Sequence, residues 1–161
     1  MDEHRPLADI LRPHQLDDVI GQEHLVGPNG IIRKLLHASF LPSMIFWGPP
    51  GVGKTTLARL LATLTDAHFE SHSAVTSSLD EVRRIIKESE NRLKLGTKTV
   101  FFLDEIHRFN KAQQAKLLPF VERGDITLVG ATTENPSFEI IGPLLSRTRV
   151  LLLNQLTPKE L

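Results

Sequence analysis

The chain has 161 residues, of which 40% are hydrophobic, so it is long enough to bury the core of one globular domain. Its 19 Lys and Arg residues balance 19 Asp and Glu residues, which excludes a uniformly basic nucleic-acid-binding surface. It contains no Cys, which excludes disulfides, thiolate metal sites and cysteine nucleophiles. The sequence has neither a secretory signal nor an apolar run of the roughly 18 residues that span a bilayer, so we predict a cytoplasmic protein with no membrane partner.

The character of the sequence changes near residue 43. The first forty residues contain several Pro and Gly residues and are predicted to form short helices and loops. Four short, mainly apolar runs and a weaker one at 68–70 then alternate with helical patterns. The apolar runs are continuous rather than alternating, as strands buried on both faces require. The predicted strands are 44–47, 68–70, 99–103, 126–130 and 150–153. This alternation predicts an α/β fold, a five-stranded parallel sheet sandwiched by helices.

The helix after the third predicted strand is expected to begin at Asn110, which is a good N-cap residue. Pro119 lacks a backbone donor and is predicted to kink or end this helix. Helical spacing predicts four inward side chains: Ala112, Ala115, Leu118 and Val121.

The strongest motif lies between the first predicted strand and the first long helical pattern. Residues 48–55 read GPPGVGKT and match the P-loop motif, G-x-x-x-x-G-K-[ST], in the context that the motif needs. Its glycines let backbone N–H groups and a helix N-terminus face a polyphosphate. Lys54 is predicted to reach the β- and γ-phosphates of ATP, and the Thr55 hydroxyl to ligate Mg²⁺. The predicted nucleotide-binding residues are Pro49, Pro50, Gly51, Val52, Gly53, Lys54, Thr55 and Thr56.

A pair of carboxylates follows the third predicted strand. Asp104 and Glu105 come directly after the apolar run 100–103, at the carboxyl end of a buried strand. Asp104 can therefore hold Mg²⁺ opposite Thr55, and Glu105 can polarise the attacking water. Glu105 favours an ATPase over a second class of protein, a module that binds ATP only to organise a complex, because such a module needs no base.

Other polar residues have simpler interpretations. The basic residues between 83 and 98 alternate with Asp and Glu, which favours a solvated helix face over contact with a DNA backbone. His68 and His72 lie about 13 Å apart along a strand, too far to share one metal ion. His107 is predicted to pack in a loop, with phosphate or DNA contact as the alternative.

Two further runs, DEIHRFNK at 104–111 and ATTENPSF at 131–138, identify the chain more narrowly. With the motif at 48–55, they make it resemble an AAA+ ATPase of the clamp-loader clade. Within that clade it resembles the family of replication-associated recombination protein A and the Werner-helicase-interacting ATPase. The resemblance covers nearly the whole chain and implies a P-loop NTPase fold, the AAA+ large subdomain. It implies a DNA-dependent ATPase in replication-fork maintenance and recombination, with another clamp-loader or branch-migration motor as the alternative.

The resemblance also implies further site residues. Arg12, Pro13 and the segment 19–22, which includes Ile20 and Gly21, are expected near adenine. Thr133 is expected at the sensor-1 position, where a polar side chain reads the γ-phosphate. Residues 145–148 resemble the Ser-Arg-Cys box of clamp loaders, with Thr148 in place of Cys. Arg147 is therefore the candidate arginine finger and Arg149 the competing one. We expect Arg147 to act in trans, near the carboxyl edge of the sheet and away from its own P-loop.

The end of the sequence is typical of a linker that leads into a capped helix. Thr157 is the predicted N-cap residue, Pro158 the first helical residue and Glu160 the third, as in a capping box. We therefore expect residues 1–156 to form the nucleotide-binding domain, and 157–161 to begin the linker to a helical lid domain.

Family members continue into that lid and an oligomerisation region, so the 161-residue chain alone is expected to fold but to bind and hydrolyse ATP weakly. The implied partners of the full-length protein are single-stranded or forked DNA, further copies in a tetramer, and replication proteins such as single-stranded-DNA-binding protein. A bacterial nucleoid-associated location is also implied.

Overall fold

The computed structural model describes residues 15–38 and 41–160. A five-stranded sheet of order β2-β3-β4-β1-β5 forms its centre, and every strand pair is parallel. The strands are β1 (Met44–Trp47), β2 (His68–Ser73), β3 (Thr99–Asp104), β4 (Thr127–Thr132) and β5 (Arg149–Leu152). The prediction of a five-stranded parallel sheet is confirmed, and the bounds of β1 match.

Helices cover both faces of this sheet. They are α1 (Glu23–Val26), α2 (Ile31–His37), α3 (Lys54–Leu64), α4 (Leu79–Lys94), α5 (Lys111–Arg123), α6 (Pro136–Glu139) and α7 (Gly142–Leu145). Two short 3₁₀ helices span Leu16–Asp18 and Ile106–Arg108. No helix in the described ranges is long and apolar enough to cross a bilayer.

The core is divided between the two faces because successive strand side chains point to opposite sides. Met44 and Phe46 pack with Leu57 and Leu61 of α3 on one side. On the other side, Ile45 packs in a cluster that includes apolar residues of α4, α5 and α7. A strand sandwiched in this way needs apolar residues at every position, which explains the continuous apolar runs of the sequence.

The N-terminus of α5 agrees with the prediction. The Asn110 side chain accepts a hydrogen bond from the Gln113 backbone N–H at 2.8 Å. The Gln113 side chain accepts one from the Asn110 N–H at 2.8 Å, which completes a capping box. Asn110 is therefore confirmed as the N-cap residue.

The predicted inward face of α5 is partly wrong. Ala112 and Ala115 are exposed, whereas Gln114 and Leu117 are buried, with Leu118 and Val121 half-buried beside them. The helix rotates in this way because the Gln114 amide bonds to backbone groups on its inner side.

Pro119 does not end α5, which continues to Arg123. The carbonyl that loses its partner there belongs to Ala115, four residues earlier, and Ala115 is exposed. Water can therefore satisfy that carbonyl. The helix ends instead at Gly124, whose φ of +74° is a left-handed conformation typical of a helix C-terminus.

Candidate active site

The loop between β1 and α3 has an open, backbone-lined surface. Gly51 and Gly53 have φ values of +78° and +93°, which favour glycine. A Cβ atom added to either would meet no heavy atom within 4 Å, so nothing in the structure covers this side of the loop. Gly48 has the opposite constraint, because a Cβ there would lie 2.5 Å from the Leu153 carbonyl oxygen. The loop is thus packed at its start and open at the turn that leads into α3.

Lys54 is the first residue of α3, and its ammonium folds back over this loop. Its Nζ donates hydrogen bonds to the carbonyl oxygens of Gly48 at 2.5 Å and Pro49 at 3.1 Å. Burial lowers the pKa of Lys54 below its usual range, while the negative charge of Asp104 acts in the opposite direction. Both hydrogen-bond partners are neutral, so an anion in the adjacent cavity would be a stronger partner.

A polar cavity of about 280 Å³ lies beside Lys54, where the carboxyl ends of β1, β3 and β4 meet. The loop contributes Pro50, Gly51 and Gly53, and α3 contributes Lys54, Thr55 and Thr56. The remaining lining residues are Asp104 and Glu105 from the end of β3, and Thr132 and Thr133 from the end of β4. The structure therefore brings together one cation, two carboxylates and four hydroxyls that are distant in sequence.

The end of β3 places its two carboxylates differently. Asp104 is half-buried, and its Oδ1 accepts a hydrogen bond from the Glu105 backbone N–H at 2.9 Å. Glu105 is exposed and has a φ of +53°, which costs a non-glycine residue about 1–3 kcal/mol. The next residue, Ile106, is completely buried and secures the turn. The strained residue thus lies at the cavity wall.

Thr132 lines the polar cavity beside Thr133, but the sequence motifs do not single it out as a site residue. It is the last residue of β4 and is 1% exposed, whereas Thr133 is exposed. Its hydroxyl accepts a hydrogen bond from the Glu134 N–H at 2.9 Å and lies 2.8 Å from His107 Nδ1. The two threonines thus differ in accessibility, because only Thr133 is exposed.

A second, more apolar cavity of about 230 Å³ adjoins the polar one and shares Gly51, Gly53 and Thr56 with it. Its other lining residues are Asp18, Val19, Ile20, Gln22, Val52, Leu57, Leu153 and Leu156. Ile20 and Val52, both predicted to bind nucleotide, therefore lie here. Arg12 and Pro13 lie outside the described residues.

The segments 19–22 and 153–156, which form two walls of this second cavity, are joined by side-chain contacts. Gln22 is 5% exposed, and its amide accepts from the Asn154 N–H at 2.9 Å and donates to the Asn154 carbonyl at 2.8 Å. Gly21 has a φ of +73°, and a Cβ there would lie 2.8 Å from Leu156. Gly21 therefore packs against the cavity wall without lining the cavity.

The turn after this segment contains half of the predicted capping box. The Thr157 N–H donates to Glu160 Oε1 at 2.8 Å, and residues 158–160 form a turn. This hydrogen bond also lowers the pKa of the Glu160 carboxyl.

The expected place of Arg147 near the carboxyl edge of the sheet is wrong. Arg147 precedes β5 and lines a cavity of about 570 Å³ with Ser43, Lys98 and Ile126, which precede β1, β3 and β4. In a parallel sheet the residues before the strands share the amino edge, which is opposite the P-loop. Arg149, the first residue of β5, lies at this same edge.

Arg147 is exposed and held by its neighbours at that edge. Its Nε pairs with Glu122 Oε1 of α5 at 2.8 Å, and its Nη1 donates to the Pro143 carbonyl at 3.0 Å. Its guanidinium is therefore directed along α5 and α7, and the sheet separates it from its own polar cavity.

Residues 44–156 match the family model described as the ATPase family associated with various cellular activities (AAA). This stretch includes the P-loop, the carboxylates after β3 and the threonines after β4. The chain belongs to the AAA ATPase family.

Two curated relatives support the narrower resemblance found in the sequence. The chain is 49% identical over 156 residues to replication-associated recombination protein A of Haemophilus influenzae. The matched region covers 97% of this chain and 35% of that protein. It is 48% identical over 156 residues to the ATPase WRNIP1 of Dictyostelium discoideum, of which it spans 18%. The predicted resemblance to this family is confirmed, and the chain spans about a third or less of these relatives.

Among solved AAA ATPase structures, a similar one is the RuvB Holliday junction branch migration motor of Thermotoga maritima. The TM-score is 0.69 at 32% identity, over 90% of this chain and 48% of that one. A RuvB variant matches with a TM-score of 0.72, also at 32% identity, over 93% of this chain and 52% of that one. These matches confirm the predicted P-loop NTPase fold.

Proposed function

We propose that this AAA chain binds ATP with Mg²⁺ and hydrolyses it. The observation that carries the proposal is the polar cavity, where an open P-loop and the Lys54 ammonium face Asp104 and Glu105. The open side of Gly51 and Gly53 fits a polyphosphate, and the Thr55 hydroxyl with the Asp104 carboxylate fits the oxygen preference of Mg²⁺. The adjoining, more apolar cavity fits the adenine ring of the nucleotide.

Each residue has a distinct task in this proposal. Lys54 exchanges its two carbonyl partners for phosphate oxygens, and Thr55 and Asp104 hold the metal ion. Glu105 accepts the proton of the attacking water, and Thr133 contacts the γ-phosphate. Bound Mg²⁺ supplies positive charge that neutralises the transferred phosphoryl group. The second cavity, lined by Ile20 and Val52, holds adenine, and Gly21 packs behind its wall. Arg12 and Pro13, which lie outside the described residues, are proposed to bind adenine as well.

The full-length protein is proposed to be a DNA-dependent ATPase of replication-fork maintenance and recombination. The 49% identity to replication-associated recombination protein A supports this more than the 32% identity to the RuvB motor supports branch migration. Residues 1–156 then form the nucleotide-binding domain, and 157–161 lead towards a lid domain. The same proposal includes three partners: DNA, further copies of the protein in a tetramer, and single-stranded-DNA-binding protein. It also includes a cytoplasmic, nucleoid-associated location.

The test compares Lys54→Ala with Glu105→Gln in the full-length gene product. ATP binding is followed by the fluorescence of a labelled ATP analogue titrated into each protein. Lys54→Ala should abolish the fluorescence change, since Lys54 contacts phosphate in the ground state. Glu105→Gln should retain it but lose hydrolysis, because Glu105 acts only on water. Hydrolysis by Glu105→Gln at the wild-type rate would remove Glu105 from the mechanism.

A further inference from the structure

The proton of the Thr132 hydroxyl is used within the protein. A threonine hydroxyl has one proton to donate and two lone pairs. The Glu134 N–H occupies one lone pair, and His107 Nδ1 at 2.8 Å occupies a second hydrogen-bonding position. The third contact is the Glu134 carbonyl at 3.3 Å, which accepts the proton when His107 is the donor. In either arrangement the Thr132 proton is used within the protein, so Thr132 has no donor left for a phosphate oxygen, although it lines the cavity.

His107 connects this hydroxyl to the turn that carries Glu105. It lies in the 3₁₀ helix Ile106–Arg108, which begins directly after Glu105, and the Arg108 N–H donates to the Glu105 carbonyl at 2.8 Å. Within the described ranges, Thr132 is the only hydrogen-bond partner of the His107 ring. The turn is thus fixed at two points, by the buried Ile106 and by the bond from His107 to β4.

Glu105 needs this support for two reasons. Its φ of +53° is one that a non-glycine residue retains only when its surroundings fix it. Its carboxylate is exposed and makes no hydrogen bond in the described part of the chain, so its direction depends on the backbone of the turn. A small rotation of the turn would move the carboxylate without changing the P-loop.

We propose that the hydrogen bond between Thr132 and His107 positions Glu105 for the hydrolytic step. The inference rests on the proposed function and deepens it: His107 and Thr132 are positioning residues that act through the turn and do not bind the nucleotide. Displacing a catalytic group by about 1 Å can cost about 10²-fold in rate. Loss of this bond should therefore lower kcat while ATP affinity is retained.

The experiment uses Thr132→Val, which removes the hydroxyl at nearly constant shape, and His107→Leu in the full-length gene product. Each should lower kcat by about 10- to 100-fold, with the Kd for the labelled ATP analogue unchanged within about twofold. The double variant should be no slower than the slower single variant, because both remove the same bond. Thr132→Ser restores the hydroxyl and should recover kcat. Arg108→Gln, an exposed change on the same turn, is the matched control.

Several results would overturn the inference. One is an unchanged kcat in His107→Leu. Another is a parallel loss of ATP affinity and kcat, which a purely structural role would produce. If Thr132→Val does not fold, the comparison of His107→Leu with His107→Asn decides. Asn can place a polar atom near the Nδ1 position, so His107→Asn should retain more kcat than His107→Leu.

Wild-type protein and Glu105→Gln are assayed alongside. If the wild type does not hydrolyse ATP, or Glu105→Gln matches it, the proposed function fails. If those two behave as expected and the His107 variants do not, only this inference fails.

A readout independent of turnover is the nitrogen NMR spectrum of the His107 ring in the 161-residue chain. Thr132→Val should shift the Nδ1 resonance, and Thr132→Ser should leave it near its wild-type position. An Nδ1 resonance that is the same in all three proteins would show that the bond is not formed in solution.

Discussion

Gln114→Met is expected to destabilise the fold severely, although both side chains have similar length. Gln114 is 1% exposed and lies on the inner face of α5. Its Nε2 donates to the carbonyls of Phe109 at 3.0 Å and Glu139 at 2.9 Å, and its Oε1 accepts from the Ile141 N–H at 2.8 Å. One side chain thus joins the loop before α5 to the segment between α6 and α7.

The expected loss of stability follows from the three backbone groups that Gln114→Met would leave without a hydrogen-bond partner. A buried, unsatisfied polar group costs about 1–3 kcal/mol, and Phe109, at 2% exposed, is the clearest case. The groups of Glu139 and Ile141 are only partly buried, so water can recover some of their loss. We expect a loss of roughly 3–5 kcal/mol, against a typical total stability of about 5–15 kcal/mol.

Urea unfolding of the 161-residue chain, followed by circular dichroism, measures this loss. With a slope of about 1–3 kcal/mol per molar urea, the midpoint should fall by about 2 M. Lys116→Met places the same new side chain at an exposed position of α5 and should change stability by less than about 0.5 kcal/mol. A Gln114→Met loss as small as that of Lys116→Met would show that the three hydrogen bonds do not stabilise the fold.

Two further predictions concern Glu70 and Arg147. Burial raises the pKa of the Glu70 carboxyl, but the hydrogen bonds from His68 and His72 and the charges of these residues outweigh burial. The pKa of Glu70 therefore lies below its usual range. Its stabilisation is therefore present above the pKa of the unfolded chain and lost as the pH falls through the folded value. Urea midpoints should show a wild-type advantage over Glu70→Gln at neutral pH that disappears in acid, and a constant difference would contradict the assignment. For Arg147, mixing full-length Arg147→Ala and Lys54→Ala subunits, each inactive alone, should restore part of the ATPase activity. If exchanging subunits regain none, Arg147 is not a trans finger and Arg149 is tested next.

The parallel sheet could be predicted because buried strands leave a direct signal. Residues 44–47 and 100–103 are apolar runs without alternation, and both faces of β1 and β3 are covered by helices. Strand β2 was predicted too short, as 68–70. Its polar second half, 71–73, forms a strand because it pairs with β3 in register, Ser73 opposite Asp104. Tertiary pairing determined the strand length there, which local sequence does not encode.

The inner face of α5 could not be predicted because hydrophobic periodicity treats Gln as a surface residue. Gln114 is buried since three backbone groups distant in sequence converge on its amide. The pairing of Thr132 with His107 has the same origin, because 25 residues separate the two. Sequence spacing identifies residues on one element, whereas these contacts depend on how separate elements meet.

The position of Arg147 has a consequence for any role in hydrolysis. The P-loop follows β1 and Arg147 precedes β5, the parallel neighbour of β1, so the two lie at opposite edges of the sheet. A four-residue strand spans about 13 Å, and the pairs from Met44 with Arg149 to Trp47 with Leu152 cover this whole length. The Arg147 guanidinium is also paired with Glu122, away from the strands. Arg147 therefore cannot reach its own polar cavity while the sheet is intact. Any contribution it makes to phosphoryl transfer requires a second copy whose cavity faces this edge, which is the arrangement that the subunit-mixing experiment detects.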